Sequence, residues 1–262
     1  MNKIKNRIKI FFSYSFLALL NKYKIPKENC LHVGANIGTE IETYDKYGFK
    51  NIVWIEGYQP YFETLQKNIG HRKNHFLLNT MVSDIQDEVV NFKVASNTGS
   101  STIFEPTSSW YETFTDLSFQ KIEEIKCSRI DNILNEKFNS TFLESIKLLV
   151  IDIEGAELKA LKSMGLLIDN IEFALVEVSL RPNFLNAPLM IDIDKFFLQH
   201  SFKKIYSKYG SSSGDALYKR VSKLTFIDIY FTLLMDNILK MISILRITDQ
   251  VSKIKTFVKN II

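Results

Sequence analysis

The chain has 262 residues, 46% of them hydrophobic and 24% charged, a composition typical of a globular protein with one elaborated domain or two small ones. Its two cysteines, Cys30 and Cys127, exclude a disulfide framework, and no Cys/His cluster has zinc-ligand spacing, so we expect reduced thiols and a cytoplasmic protein. The 33 basic and 29 acidic residues leave a net charge of +4, a surplus too small to indicate a nucleic-acid partner.

The first 28 residues combine basic side chains with an apolar run. Four basic residues within the first nine precede the run, which covers residues 10–20 and resembles a signal peptide. No small-residue cleavage site follows, however, and the run is too short to cross a bilayer as a helix. We therefore predict that residues 1–28 form an amphipathic helix packed on the domain.

Residues 29–220 alternate between short apolar runs and helical periodicity. The predicted strands are Cys30–Val33, Ile52–Ile55, His75–Val82, Lys147–Ile153, Glu172–Val178, Lys203–Tyr206 and Ala216–Lys219. The predicted helices are Thr39–Tyr47, Pro60–Ile69, Asp131–Phe138, Glu157–Leu167 and Ile191–His200. This alternation predicts an α/β, Rossmann-like fold, in which a mostly parallel seven-stranded sheet has helices on both faces.

The first predicted strand turns into the first helix through the sequence LHVGANIGTE, residues 31–40. Gly34 and Gly38 allow a tight turn and a close approach to a ligand, and Asn36 between them tolerates a left-handed conformation. Glu56 ends the second strand about 20 residues later, where an acidic side chain accepts hydrogen bonds from ribose hydroxyls. The layout predicts a ligand that contains adenosine.

The spacing of this turn bears on which adenosine ligand binds. A dinucleotide site has the pattern GxGxxG, which lets a pyrophosphate reach the helix N-terminus, whereas this chain has GxNxG. Glu40, in the first helical turn, would repel a pyrophosphate but suits the ammonium group of a methionine moiety. A nicotinamide-dependent oxidoreductase is thus the less favoured alternative.

Residues 88–129 break the alternation of strands and helices. They alternate apolar with polar side chains and carry Ser and Thr clusters. We predict a β-rich insert beside the carboxyl ends of the sheet strands, where ligands bind in folds of this kind.

A second motif, LLVIDIEGAEL at residues 148–158, gathers carboxylates at the end of an apolar strand. Helix capping would account for Glu154 and Glu157, because acidic groups stabilise a helix N-terminus. It does not account for Asp152, at the end of a strand that should be buried. Like charges held together raise the pKa of a carboxyl group and suit it to proton transfer.

Residues 221–262 differ from the centre of the chain. Their long apolar stretch is interrupted by Asp228, Asp236 and Lys240, which argues against a transmembrane helix. Three further lysines then recur among apolar residues, a basic amphipathic pattern. We predict a C-terminal helical extension, and intramolecular packing, a homodimer face and peripheral membrane contact remain open as its role.

The two motifs together resemble those of the FkbM family of S-adenosylmethionine-dependent methyltransferases. The family sequence DVGANIG is matched around Gly34 and Asn36, and IDVEGAE is matched by residues 151–157. The resemblance extends over about residues 29–220. The chain departs from the commoner pattern at His32, at Val150 and in the Glu-Gly-Tyr sequence that begins at Glu56.

The resemblance implies a class I methyltransferase fold and S-adenosylmethionine as cofactor, with no metal. The residues that it assigns to the cofactor are His32, Gly34, Ala35, Asn36, Gly38, Glu40, Glu56, Gly57, Tyr58 and Asp152. It implies transfer of a methyl group to a hydroxyl oxygen, and we take a sugar in a glycan or another natural product as the acceptor.

Transfer to a hydroxyl needs a group that receives the proton. Our candidates for the catalytic residues are Asp152, Glu154 and Glu177, with His32 behind them. Ser101 and its neighbours are candidates for the acceptor pocket, and Trp110 and Tyr111 for stacking on a sugar. A further alternative is a non-catalytic S-adenosylmethionine-binding or scaffold module at a membrane surface, in which the terminal helices recruit a membrane enzyme.

Overall fold

The structure is a computed structural model that describes residues 16–209 and 212–244. Its strands are β1 Asn29–Val33, β2 Asn51–Glu56, β3 His75–Asn79, β4 Met81–Val82, β5 Val89–Ala95, β6 Phe119–Ser128, β7 Ile146–Ile151, β8 Phe173–Ser179, β9 Phe202–Tyr209 and β10 Ser213–Arg220. After α1, whose described part covers residues 16–22, the α-helices are α2 Ile41–Tyr47, α3 Gln59–Ile69, α4 Ser108–Thr113, α5 Ile130–Lys137, α6 Ser140–Glu144, α7 Glu157–Ser163, α8 Met190–Gln199 and α9 Phe226–Ile244.

Seven strands form the main sheet, in the order β3-β2-β1-β7-β8-β10-β9. Only β10 runs antiparallel to its neighbours in this sheet, β8 and β9. The chain moves outward from β1 in one direction and from β7 in the other, so the strand order reverses between these two central strands. In open α/β sheets, ligands bind at the carboxyl ends of the strands beside such a reversal. The predicted Rossmann-like α/β fold is confirmed.

Both faces of the central strands are apolar, as expected for a parallel sheet covered by helices. Leu149 and Ile151 of β7 join a core built with α5, α7 and α8. Leu148 and Val150 point to the opposite face, where they join a second core built with α1, α2 and α3. The two cores therefore hold the sheet from both faces, which fixes the positions of the turns that follow its strands.

The insert between residues 88 and 129 contains strands, as predicted, together with α4. Its strand β6 pairs with β5 in antiparallel fashion and with β4 in parallel fashion. The prediction of a single strand over His75–Val82 was wrong, because the chain changes sheets at Thr80. The Thr80 amide still donates to the carbonyl of Glu56, whereas Met81 already pairs with Cys127 of the insert.

Two other elements differ from the prediction. The helix expected over Glu157–Leu167 ends at Ser163, and a 3-10 helix follows at Gly165–Asn170. Gly165 has a φ of +50°, a conformation that interrupts the α-helix. The short helices α4 and α6 were not predicted, since segments of five or six residues carry little periodic signal.

The described parts of the two terminal segments pack on the domain to different degrees. Phe16 and Leu20 of α1 are buried in the core beside α2. Helix α9 contacts α8, yet Phe226, Ile227 and Tyr230 remain exposed on it. Across the part of the chain that the structure describes, no helix combines the length and apolarity needed to span a membrane. The basic pattern predicted beyond residue 244 lies outside the described residues.

The packing of β7 yields a test of the core. Leu149 is fully buried, so Leu149→Ala is expected to lower the free energy of unfolding by about 2–5 kcal/mol through lost burial and a cavity. Urea unfolding measures this loss. Leu166 is 86% exposed, and the matched Leu166→Ala is expected to change stability by less than about 0.5 kcal/mol. Equal losses for both variants would contradict the assignment of β7 to the core.

Candidate active site

A cavity of about 490 Å³ lies at the carboxyl ends of β1, β2, β7 and β8. This volume is within the range of small-molecule sites. The two sequence motifs form opposite parts of its wall, and the insert contributes Phe92, Thr98, Gly99, Ser101 and Ile103. The cavity is where the topology predicts a ligand.

The turn after β1 brings the first motif against the second. Gly34 has a φ of +84°, and a Cβ atom added to it would lie 1.9 Å from the carbonyl oxygen of Asp152. Only glycine therefore fits at position 34, because the two motifs are in contact there. Asn36 has a φ of +49°, the left-handed conformation that its position predicted. Ala35 and Asn36 both line the cavity.

Gly38 has a different role, although it belongs to the same turn. A Cβ atom there would lie 2.7 Å from Cδ1 of Leu65 in α3 and 2.6 Å from Cδ1 of Ile41. Gly38 does not line the cavity. Its lack of a side chain allows α3 to pack closely, so the structure places it behind the site.

Glu56, at the end of β2, is 7% exposed and lines the cavity. Its Oε2 accepts from the Asn36 amide at 2.7 Å, and its Oε1 accepts from the Tyr58 amide at 2.8 Å. Burial raises its pKa, and these backbone donors oppose the rise. A carboxylate has about four acceptor sites, so both oxygens retain capacity for a ligand.

Of the two residues that follow Glu56, one lines the cavity and the other does not. Gly57 lines the cavity, and a Cβ atom on it would lie 2.8 Å from Cα of Met81. The side chain of Tyr58 is buried outside the cavity wall, with ring centroids 4.8 Å from Tyr61 and 5.4 Å from Phe92. Tyr58 therefore serves the site through its backbone amide.

Three of the predicted acidic residues meet on the opposite wall. Asp152, Glu154 and Glu177 each place a carboxylate oxygen within 4.8 Å of the other two. Asp152 is open to the cavity, and the protein atoms packed around it together with the nearby charge of Glu40 raise its pKa to about 6. Burial and the neighbouring carboxylates raise the pKa of Glu154 and of Glu177 well above the ordinary value. A raised pKa makes a carboxylate a stronger base, which suits this cluster to receive a proton.

Glu154 is held in an unusual backbone conformation. Its φ is +50° and that of Gly155 is +102°, so the chain turns sharply between β7 and α7. A non-glycine residue in this region carries a cost of the order of 1–3 kcal/mol. The Thr102 hydroxyl of the insert donates to the Glu154 carbonyl at 2.7 Å. The insert thus fixes the turn that presents the Glu154 side chain.

The carboxylate of Glu157 binds backbone amides of this turn. It is 5% exposed, and its Oε1 accepts from the amides of Gly155 at 3.0 Å and Ile153 at 3.3 Å. Burial raises its pKa to about 7. Glu157 therefore stabilises the turn that precedes α7, whereas Glu154 lines the cavity.

His32 lines the cavity from β1 and is otherwise enclosed by aromatic groups. Its Nδ1 lies 2.9 Å from the Tyr44 hydroxyl, and its ring stacks on Trp54 at a centroid distance of 5.1 Å. Burial lowers its pKa to about 3, so the imidazole is neutral at physiological pH. The structure therefore presents a neutral, fixed imidazole to the cavity at this point.

Sequence reasoning missed one acidic residue of the cavity. Asp215 of β10 lines the cavity, and the antiparallel register places it directly opposite Glu177 of β8. Burial and the charge of Asp152 raise its pKa to about 6. Asp215 falls within residues 29–220, over which the family resemblance extends, but only the pairing of β10 with β8 shows where it lies.

The insert contributes less than its sequence indicated. Ser101 lines the cavity, and the Asn36 side-chain amide donates to the Thr98 carbonyl at 2.5 Å. Trp110, however, is fully buried in a stack with Phe119, and Tyr111 is 54% exposed outside the cavity wall. The structure therefore does not bring the two predicted stacking residues into the cavity.

The buried carboxyl of Glu157 yields a prediction about pH. Its folded pKa of about 7 lies above the ordinary 4.5, so its contribution to stability is present at low pH and is lost as the pH rises from about 4.5 to about 7. Relative to Glu157→Gln, the unmodified chain is expected to lose about 1–3 kcal/mol over this interval.

Urea unfolding of both proteins at several pH values measures the difference. Glu136→Gln, which removes an exposed carboxylate from α5, is the control and should leave the pH dependence unchanged. Parallel pH profiles for Glu157→Gln and the unmodified chain would exclude a raised pKa at this position.

Comparison with known proteins assigns the chain to a family. The Methyltransferase FkbM domain matches residues 32–204. A comparison with curated proteins gives no significant match.

Among solved structures, the chain is similar to magnesium protoporphyrin IX methyltransferase from Synechocystis PCC 6803 (8% identity, 82% of this chain and 81% of that chain, TM-score 0.47). It is also similar to TrmK from M. capricolum (13%, 82% and 73%, 0.44) and to ribosomal protein L11 methylase from Lactobacillus delbrueckii subsp. bulgaricus (11%, 73% and 69%, 0.40). At these identities and TM-scores, the three structures give no information on the acceptor.

The domain match covers about two thirds of the chain and includes both motifs. The chain therefore belongs to the FkbM methyltransferase family, the family of S-adenosylmethionine-dependent methyltransferases that its two motifs predicted.

Proposed function

We propose that this protein transfers the methyl group of S-adenosylmethionine to a hydroxyl oxygen, on a sugar in a glycan or on another natural product. One observation carries the proposal: the carboxylates of Asp152, Glu154 and Glu177 meet in the same cavity as the glycine turn and Glu56. A hydroxyl acceptor must lose its proton, and this cluster offers proton-accepting groups with raised pKa values.

The residues of the cavity fit this cofactor. Glu56 has acceptor capacity on both oxygens for the two ribose hydroxyls. Glu40 lines the cavity near Asp152, where it suits the ammonium group of the methionine part. Met81, Val82 and the insert provide apolar surface for the adenine ring. The other predicted cofactor residues in the cavity wall are His32, Gly34, Ala35, Asn36, Gly57 and Asp152.

When bound, S-adenosylmethionine supplies a methyl group on a sulfonium centre, and the demethylated product is a neutral thioether. In the transfer, the acceptor oxygen forms a bond to the methyl carbon, the carbon–sulfur bond breaks, and its electron pair stays on sulfur. The hydroxyl proton passes to the carboxylate cluster. We assign to the turn at Glu154 and to the fixed ring of His32 the task of holding the reacting atoms in line, which is the main catalytic task in such a displacement.

We also propose a division of the chain into a central domain and two flanking segments. We place the methyltransferase domain at residues 29–220, preceded by an N-terminal segment over residues 1–28 that contains α1 and followed by an extension over residues 221–262 that contains α9. A cytoplasmic location agrees with the two buried, free cysteines, Cys30 and Cys127.

Thermal unfolding with added ligands tests the cofactor. At 100 times its dissociation constant, a ligand that binds only the folded protein stabilises it by about 2.7 kcal/mol. We expect S-adenosylmethionine and its demethylated product to raise the melting temperature, and NAD to leave it unchanged. Glu56→Gln should reduce the shift. A shift with NAD alone would favour the oxidoreductase alternative instead.

A substitution in the carboxylate cluster tests the chemistry. Asp152→Asn removes a proton acceptor and one of several crowded charges, so we expect it to fold and to lose about 10²–10⁴-fold in kcat. The measurement is transfer of a radiolabelled methyl group to a panel of carbohydrates. Glu136→Gln, on the surface of α5, is the control and should retain full activity. An unchanged rate for Asp152→Asn would remove Asp152 from the mechanism.

A further inference from the structure

Two residues of the cavity wall lie outside the FkbM domain match. The match covers residues 32–204, whereas Phe16 precedes it in α1 and Asp215 follows it in β10. All other lining residues belong to the matched region. The segments that flank the domain therefore complete its cavity.

Phe16 gives the cavity an apolar wall. It is 6% exposed, and its ring meets the edge of Tyr44 at a centroid distance of 5.6 Å. Tyr44 in turn holds His32, so Phe16 is fixed through the same aromatic group that fixes the imidazole. Val150 and Leu175 also line this cavity. Aromatic and aliphatic groups of this kind cover the carbon–hydrogen face of a ring-shaped ligand.

Asp215 gives the cavity a hydrogen-bonding wall. It stands opposite Glu177 in the β8–β10 pairing, so both side chains leave the same face of the sheet. Lys208 of β9 stands opposite Asp215 on its other side, and its charge favours the ionised form of Asp215, although Lys208 itself does not line the cavity. The carboxyl groups of Glu177 and Asp215 therefore both line the cavity at this position, and both can accept hydrogen bonds.

The charge of the whole lining has one sign. Its aspartate and glutamate residues are Glu40, Glu56, Asp152, Glu154, Glu177 and Asp215. Within the described residues, neither lysine nor arginine lines the cavity. A phosphate group entering it would meet repulsion from these carboxylates and no cation in the lining, whereas a hydroxyl or an ammonium group would find acceptors.

We propose that Phe16 and Asp215 select the acceptor: they take a ring with hydroxyl or protonated amine donors and exclude a phosphorylated one. The inference rests on the proposed function, because it assigns the part of the cavity that Glu56 and the glycine turn leave for the second substrate. Asp215 is a specificity-determining residue that accepts hydrogen bonds from the acceptor, and Phe16 packs against the acceptor ring.

The experiment measures binding of simple sugars to the full chain saturated with S-adenosylhomocysteine. The probes are methyl α-glucoside, glucosamine and glucose 6-phosphate, and saturation-transfer NMR gives their dissociation constants. The variants are Asp215→Asn and Phe16→Leu, since Leu retains most of the buried apolar surface. Asp116→Asn and Phe226→Leu change exposed residues and serve as matched controls.

We expect methyl α-glucoside or glucosamine to bind and glucose 6-phosphate to bind at least tenfold more weakly. A preference for glucosamine identifies an amine as the donor, and a preference for the glucoside identifies hydroxyls alone. Asp215→Asn and Phe16→Leu should weaken binding of the preferred sugar at least tenfold. The dissociation constant of S-adenosylhomocysteine should stay within about threefold in both variants, and the two controls should match the unmodified chain.

The inference is overturned if glucose 6-phosphate binds as tightly as the other sugars, or if both variants bind the preferred sugar within twofold of the unmodified chain. Stabilisation by Mg²⁺, without binding of either unphosphorylated sugar, would also overturn it, because Asp152, Glu154 and Glu177 would then serve a metal ion. Failure of the unmodified chain to bind S-adenosylhomocysteine would instead refute the proposed function on which the inference rests.

Discussion

The contact between Gly34 and the carbonyl group of Asp152 is the constraint on which the site depends. The turn after β1 packs directly against the turn after β7. The backbone of Asp152 already fills the space that a Cβ atom would need at position 34. Because the two strands are neighbours, this contact brings the cavity-lining residues of the two motifs close together. The insert then ties the two turns together, through Asn36 on one side and Glu154 on the other.

The carboxyl groups that line the cavity repel one another, which lowers the stability of the folded protein. Six carboxyl groups face one space, and burial with mutual repulsion raises the pKa of most of them. A fold tolerates such a cluster when its surroundings are rigid, and here two apolar cores hold the strands from opposite faces. A bound cation relieves the repulsion, so the arrangement favours a positively charged ligand over the empty cavity.

Much of this architecture follows from local features of the sequence. The apolar run of β7 and the glycine turn after β1 specify a strand and a turn within a few residues, and Glu56 follows at a fixed distance. The sequence could not show that Thr80 ends one sheet and begins another, since that depends on pairing with β6 some 45 residues later. For the same reason, Asp215 and Phe16 could not be placed. The first reaches the site through antiparallel pairing, and the second through helix packing across the sheet.

Trp54 gives this site an intrinsic optical probe. The chain has two tryptophans, and both are fully buried, but only Trp54 adjoins the cavity wall, with its ring stacked between His32 and His75. Its indole NH donates to His75 at 3.0 Å, which holds the ring in place. Since His32 stays uncharged over the physiological range, its protonation does not quench the indole there. A change in the emission of Trp54 would then report occupancy of the cavity, without any label on the protein or the ligand.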